Sequence, residues 1–179
     1  MPTYALAVRR ADVAFYAGQH ELAASIVDRL EVYIRKSLLQ RSPIYRGSLA
    51  FFVARSALTR FLTTRERRYR HAVMQQVRAT RGATTPRYNR AFLDLIAAGL
   101  ALAEARTQDA RWHLQSAALD FSACQAFHGA TCARYRLAQL DGDEAALRQA
   151  EQWLAERGVV APERWVGLWA PAPHEEQLS

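Results

Sequence analysis

Apolar positions along this chain recur at steps of three and four, the spacing that places side chains on one face of an α-helix. His20 to Lys36 shows it most simply, with Leu22, Ile26, Leu30 and Ile34 at four-residue steps. The same reading predicts a first helix from Pro2 and Thr3 to near Gly18, carrying Leu6, Val13, Phe15 and Tyr16. After a break at Ser42-Pro43, a third helix runs from about Tyr45 to Thr63 on Leu49, Phe52, Val53, Ala57 and Phe61. A fourth spans about Arg65 to Thr80, and Arg81-Gly82-Ala83-Thr84-Thr85-Pro86 reads as a loop. Thr85 and Pro86 suit the cap and first position of a fifth helix, Arg87 to Glu104, which carries Phe92, Leu95, Ile96, Leu100 and Leu102. Thr107 suits the cap of a sixth, Gln108 to about Phe127, with Ala110, Leu114, Ala117 and Phe121 on one face. Gly129 then separates it from two short helices within Cys132 to Trp165, joined by Asp141-Gly142-Asp143. Asp141 and Asp143 can cap the eighth helix, Gly158 ends it in a left-handed conformation, and Pro162 bars a restart.

Eight helices make four hairpins, each with a face that only a neighbour can cover. The segment Ala17-Gly18-Gln19-His20-Glu21-Leu22-Ala23 resembles a tetratricopeptide hairpin, in which a small second-helix residue, here Ala23, lets two helices approach closely. Small residues recur at Ala23, Ala72, Ala110 and Ala146, separated by 49, 38 and 36 positions. The tetratricopeptide period is about 34. The resemblance implies an all-α, right-handed α-α superhelix of about four helical hairpins over residues 1–171, with a flexible tail at 172–179. A compact helical bundle is the structural alternative.

Residues 132–171 carry a more specific pattern: Arg134, Leu137, Leu140, Gly142-Asp143-Glu144, Ala150-Glu151, Trp153, Gly158, Pro162, Arg164, and a closing Ala170-Pro171. It resembles the last repeat of bacterial regulators, notably serine/threonine kinases of the myxobacterial type with helical-repeat C-termini. That family often follows the closing Ala-Pro with Gly, where this chain has Ala172. The resemblance covers about 40 residues and implies a sensory or docking region of a regulator. No kinase loop accompanies it: glycine-rich phosphate loop, His-Arg-Asp and Asp-Phe-Gly are all missing.

Composition sharpens this picture. Half the residues are hydrophobic, Pro and Gly number 6 and 8, and two cysteines cannot frame a disulfide scaffold. The longest apolar run, Leu95 to Ala103, is far short of the roughly 20 residues that span a bilayer. A cytoplasmic protein is expected. Net charge is +7, but residues 1–90 carry 17 Lys or Arg against 5 acids, and residues 91–179 carry 7 against 12. Such polarity implies an acidic partner for the front half, or head-to-tail contact between copies of the chain.

The densest candidate chemistry is an arginine face on the fourth helix and beyond: Arg67, Arg70, Arg78, Arg81, Arg87 and Arg90, with Glu66 the only acid between 60 and 90. It suits an acidic peptide or protein, and nucleic acid is the alternative partner, with Tyr69, His71 and Tyr88 interleaved. First helices of stacked hairpins usually line a peptide groove. The candidates there are Arg9, Asp12, Phe15, Phe51, Arg55, Asn89, Phe92 and Arg134, with Tyr135 and Arg136 beside the last. Trp153, Trp165 and Trp169 are expected to cap the end of the stack. The five histidines lack zinc-like spacing, and Ser122, Cys124 and His128 lack an orienting acid. The expectation is a binding module that is no enzyme and needs no cofactor or metal.

Overall fold

The computed structural model describes residues 2–79 and 85–173 of the chain. Among them the chain is all-helical, with nine α-helices and no strand. They are α1 Pro2–Tyr16, α2 His20–Lys36, α3 Pro43–Thr64, α4 Arg67–Ala79, α5 Arg87–Ala103, α6 Thr107–Ala123, α7 Phe127–Asp141, α8 Glu144–Ala155 and α9 Pro162–Trp169. A 3-10 turn, Leu38–Arg41, links α2 to α3. Each helix from α1 to α8 packs on the next, α3 also packs on α5, and α9 returns to touch α1, α7 and α8. No described helix is long and apolar enough to cross a membrane.

One helix-ending turn recurs five times among the described residues. Gly18, Ala105, Gln125, Gly142 and Gly158 take left-handed φ between 56° and 81°. In each case the next residue's N–H bonds to the carbonyl five positions back, as in Gln19 to Ala14 and Arg106 to Ala101, both 2.8 Å. This is the Schellman arrangement, which satisfies carbonyls that a helix end would leave bare. Five positions after the left-handed residue of three of these turns stand Ala23, Ala110 and Ala130, all fully buried. The structural recurrence of small residues is therefore at these three. Ala72 and Ala146, expected from sequence, are only half-buried.

Several expected boundaries move. Gly129 lies inside α7, not before it, because the turn at Gln125 ends α6 at Ala123. Its missing side chain makes room for Phe121, whose ring would stand 2.8 Å from a Cβ there. Pro162 does not bar a helix; it occupies the first turn of α9, where a missing N–H costs nothing. Pro86, not Thr85, is the cap residue of α5, and Arg106, not Thr107, that of α6, neither with a side-chain cap. Asp143 does cap α8, accepting from Ala145 and Ala146 N–H at 3.1 and 3.0 Å. Asp141 instead pairs with Arg111.

The buried side chains form two cores that share α5 and α9. The front core joins α1–α4 to Leu93, Ile96 and Leu100 of α5 and to Leu168 of α9. The rear core joins Leu95 and Ala98 of α5 to α6–α8 and to Val166 and Ala170. Phe92 and Trp169 pack against both. On α1 and α2 the buried face is Ala11, Ala14, Phe15, Ala23, Val27, Leu30 and Ile34, whereas Leu6, Val13 and Leu22, expected inside, are exposed. Ala11, Ala14 and Ala23 take the buried positions instead. Ala172 is half-buried and Pro173 buried, so the expected tail at 172 begins inside the packed structure; residues 174–179 lie outside the described ones.

Candidate functional site: an arginine-lined inner cleft

Arg55 stands in the middle of α3, on the side facing α1, and is 1% exposed. Its guanidinium carbon lies 4.3 Å from the centre of the Phe15 ring and 5.0 and 5.1 Å from those of Phe51 and Phe52. Nη2 donates to Asp12 Oδ1 at 2.7 Å, and Nη1 donates to the Leu168 carbonyl at 3.1 Å. Burial pulls the Arg55 pKa down and the Asp12 carboxylate pulls it back up. Four predicted groove residues, Asp12, Phe15, Phe51 and Arg55, thus meet in one cluster, and Phe92 joins it at 4.6 Å from Phe51.

The sequence did not show what covers this face. α9 and the segment after it lie on it, with the Trp169 ring stacked 6.2 Å from Phe51 and 5.5 Å from Phe92. Trp169, half-buried, therefore packs between the two cores rather than at the end of the stack. Trp153 and Trp165 flank His128, with ring centres at 5.2 and 6.1 Å from it. Gly99 lets the segment approach α5, since a Cβ there would collide with the Pro171 carbonyl and come within 2.8 Å of Leu58 Cδ2. Arg136 on α7 clamps the same segment: Nε donates to the Ala170 carbonyl at 2.9 Å and Nη1 to Gln139 Oε1 at 2.7 Å.

Between α1, α3, α7 and α9 remains a cleft of about 1100 Å³. Arg55, Arg136 and Arg164 reach its wall, with His20, and among the described residues Glu163 is the one carboxylate there. Arg136 has no carboxylate within 4.0 Å among the described residues. Burial is the main force lowering its pKa, opposed by Tyr135, Cys132 and Glu163. An arginine in this position is costly without a counter-charge. The cleft can therefore accept an anionic group and main-chain carbonyls.

The remaining predicted groove residues go elsewhere. Asn89 is buried and structural: its Nδ2 donates to the Ile44 carbonyl at 3.1 Å, and its side chain fills the space left by Gly47. Arg134 is exposed and donates to Ser122 Oγ at 3.1 Å. Arg9 is exposed.

The arginine face is not one free stripe. Arg70 pairs with Glu104, Arg87 with Asp120 at 3.0 Å, and Arg90 with the same Asp120 at 3.9 Å. Arg67 and Arg78 are exposed with no carboxylate partner among the described residues, and Arg81 lies outside the described residues. Glu104 also takes Arg106 at 2.7 Å, and Arg60 approaches Glu21 and Asp28, both at 3.6 Å. Acids of the rear half thus neutralise bases of the front half within one chain, joining successive helices. Burial pushes the Glu104 pKa up, but hydrogen bonds from Arg70 and Arg106 outweigh it and hold the carboxyl below its ordinary range.

Other groups that invite chemistry are structural. His113 Nδ1 lies 2.7 Å from Asp94 Oδ1, and Ser116 donates to Asp94 Oδ2 at 2.9 Å, a clamp between α5 and α6. The serine bonds to the acid and not to the imidazole, so nothing activates its oxygen. Burial pushes the Cys132 thiol up to about 12, which keeps it protonated and unreactive. No cluster of three metal-ligating side chains occurs among the described residues. Compared with family models, curated proteins and solved structures, the chain matches none.

Proposed function

We propose that this chain is a non-catalytic protein-interaction module, a tetratricopeptide-like superhelix of stacked hairpins whose inner cleft docks an acidic peptide or protein segment. The observation that carries the reading is the chain's own segment in that cleft, with Arg55 and Arg136 donating to the carbonyls of Leu168 and Ala170. A foreign extended peptide offers the same carbonyls, and an acidic side chain on it would supply the counter-charge that Arg136 lacks. The recurrent Schellman turns and buried alanines support the stacked-hairpin architecture. The resemblance of residues 132–171 to the C-terminal repeats of bacterial regulatory kinases makes a cytoplasmic signalling setting the natural one. The nucleic-acid alternative draws on the outer arginines, of which Arg70, Arg87 and Arg90 already face carboxylates.

Selection of a random peptide display library on the immobilised full chain tests this. Selected sequences are expected to be rich in Asp and Glu and to lose binding to the Arg136→Gln variant. Enrichment of basic sequences, or acidic ones that ignore Arg136, would refute the cleft reading.

A further inference from the structure

A second pocket, of about 290 Å³, opens between the start of α5, the α6–α7 turn and α8. The rings of Tyr88, Phe92, Phe121, Phe127, Trp153 and Trp169 line it. Its volume is at the small end for ligand sites, room for one or two fused rings. Tyr88 and Phe127 belong to neither core, yet remain 45% and 56% exposed at this place. The fold does not use their outer faces.

The charges around the pocket select the ligand. Among the described residues no Asp or Glu lines it, while His128 and Arg157 do. The Arg157 guanidinium carbon already lies 3.7 Å from the centre of the Trp153 ring, so a cationic ligand would meet an occupied ring and a like charge. Arg157 donates to the Trp153 carbonyl at 2.9 Å and stands 3.7 Å from Glu156, both through Nη1. Its Nε–Nη2 edge is left open among the described residues, and that edge matches a carboxylate in bidentate geometry. Trp169 Nε1 is a further buried donor with no partner. We propose that this pocket binds a small aromatic carboxylate, its ring against the exposed faces of Tyr88 and Phe127 and its carboxylate on Arg157. The ligand is a free molecule, and the pocket shares no lining residue with the inner cleft.

Isothermal titration of the full chain with 1-naphthaleneacetate tests the proposal. Saturable one-to-one binding is expected, and the neutral analogue 1-naphthaleneethanol should bind roughly tenfold more weakly, the loss of one charge-assisted contact. Arg157→Gln should lower the affinity for the acid by about the same factor and leave that for the alcohol unchanged. Phe127→Ala, which removes a side chain outside both cores, should weaken both ligands; circular dichroism checks that each variant folds. Equal binding of acid and alcohol, or an indifferent Arg157→Gln, overturns the anion assignment. Tighter binding of (1-naphthylmethyl)trimethylammonium overturns it too. Binding confined to a peptide with a C-terminal Trp would show that the source is a protein and not a free acid.

Discussion

In the front core, α3 drives a guanidinium among three phenylalanine rings; in the rear, Arg136 of α7 stands at the cleft wall, outside the apolar core. The rear is assembled from small residues and short turns, with Ala110, Ala117, Ala130 and Ala133 fully buried where helices meet. The front joins its helices less regularly, through a 3-10 turn after α2 and a left-handed Arg65 after α3. A buried ion pair generally adds little over apolar packing of the same volume. The Arg55–Asp12 pair has a geometric consequence instead: the same guanidinium holds the Leu168 carbonyl and so ties α9 to α1 and α3. The rear core supplies regularity, and the front core supplies the polar face on which α9 is seated.

Breaking the front pair should have the largest effect. Asp12→Ala leaves Arg55 buried with no counter-charge and should cost about 3–5 kcal/mol in urea unfolding. Adding Arg55→Met should restore most of that loss, since an apolar side chain suits the three rings. Equal instability of the single and double variants would place the cost elsewhere than in the unpaired charge.

The rear core offers a smaller gain. Ala105 and Gln125 hold left-handed turns with φ 56°, whereas the equivalent front turn has Gly18. Ala105→Gly and Gln125→Gly should each stabilise by about 1 kcal/mol, because glycine takes this conformation without strain. Thermal unfolding reads the change, and a loss of stability would mean that these side chains make contacts that offset the strain.

The link between the two halves gives the smallest and most pH-dependent effect. The folded Glu104 carboxyl lies below its ordinary pKa of 4.5, so its contribution is complete above that value and is lost as pH falls through the folded pKa. Glu104→Gln should cost about 0.5 kcal/mol at neutral pH, given its partly exposed partners, and the gap from the parent chain should close in acid. A gap constant with pH would mean that the carboxylate charge has no part in joining α4 to α5.

Much of the helical plan was legible in the sequence, because periodic apolar positions and a few Gly residues mark it. The buried Ala23 and Ala110 and the cap at Asp143 were readable on those grounds. α9 was not, since Pro162 stops a helix that precedes it and starts one that follows, and sequence alone does not choose. Without α9 the seat of Trp169 and the cover over the cleft were invisible as well. The arginine cluster was legible as composition but not as electrostatics. Its neutralising acids come from other helices, as Glu104 does for Arg70 across 34 positions. Arg55 and Asp12 were readable as candidates on first helices, while their pairing across 43 positions required the fold.

Arginine Nε–Hε resonances, followed by nuclear magnetic resonance as a selected acidic peptide is titrated in, test the central claim most directly. The cleft reading predicts that Arg136 and Arg164 shift while the outer Arg67 and Arg78 stay in place. Shifts at Arg67 and Arg78 with Arg136 unmoved would contradict it and move the docking surface to the outer face of α4.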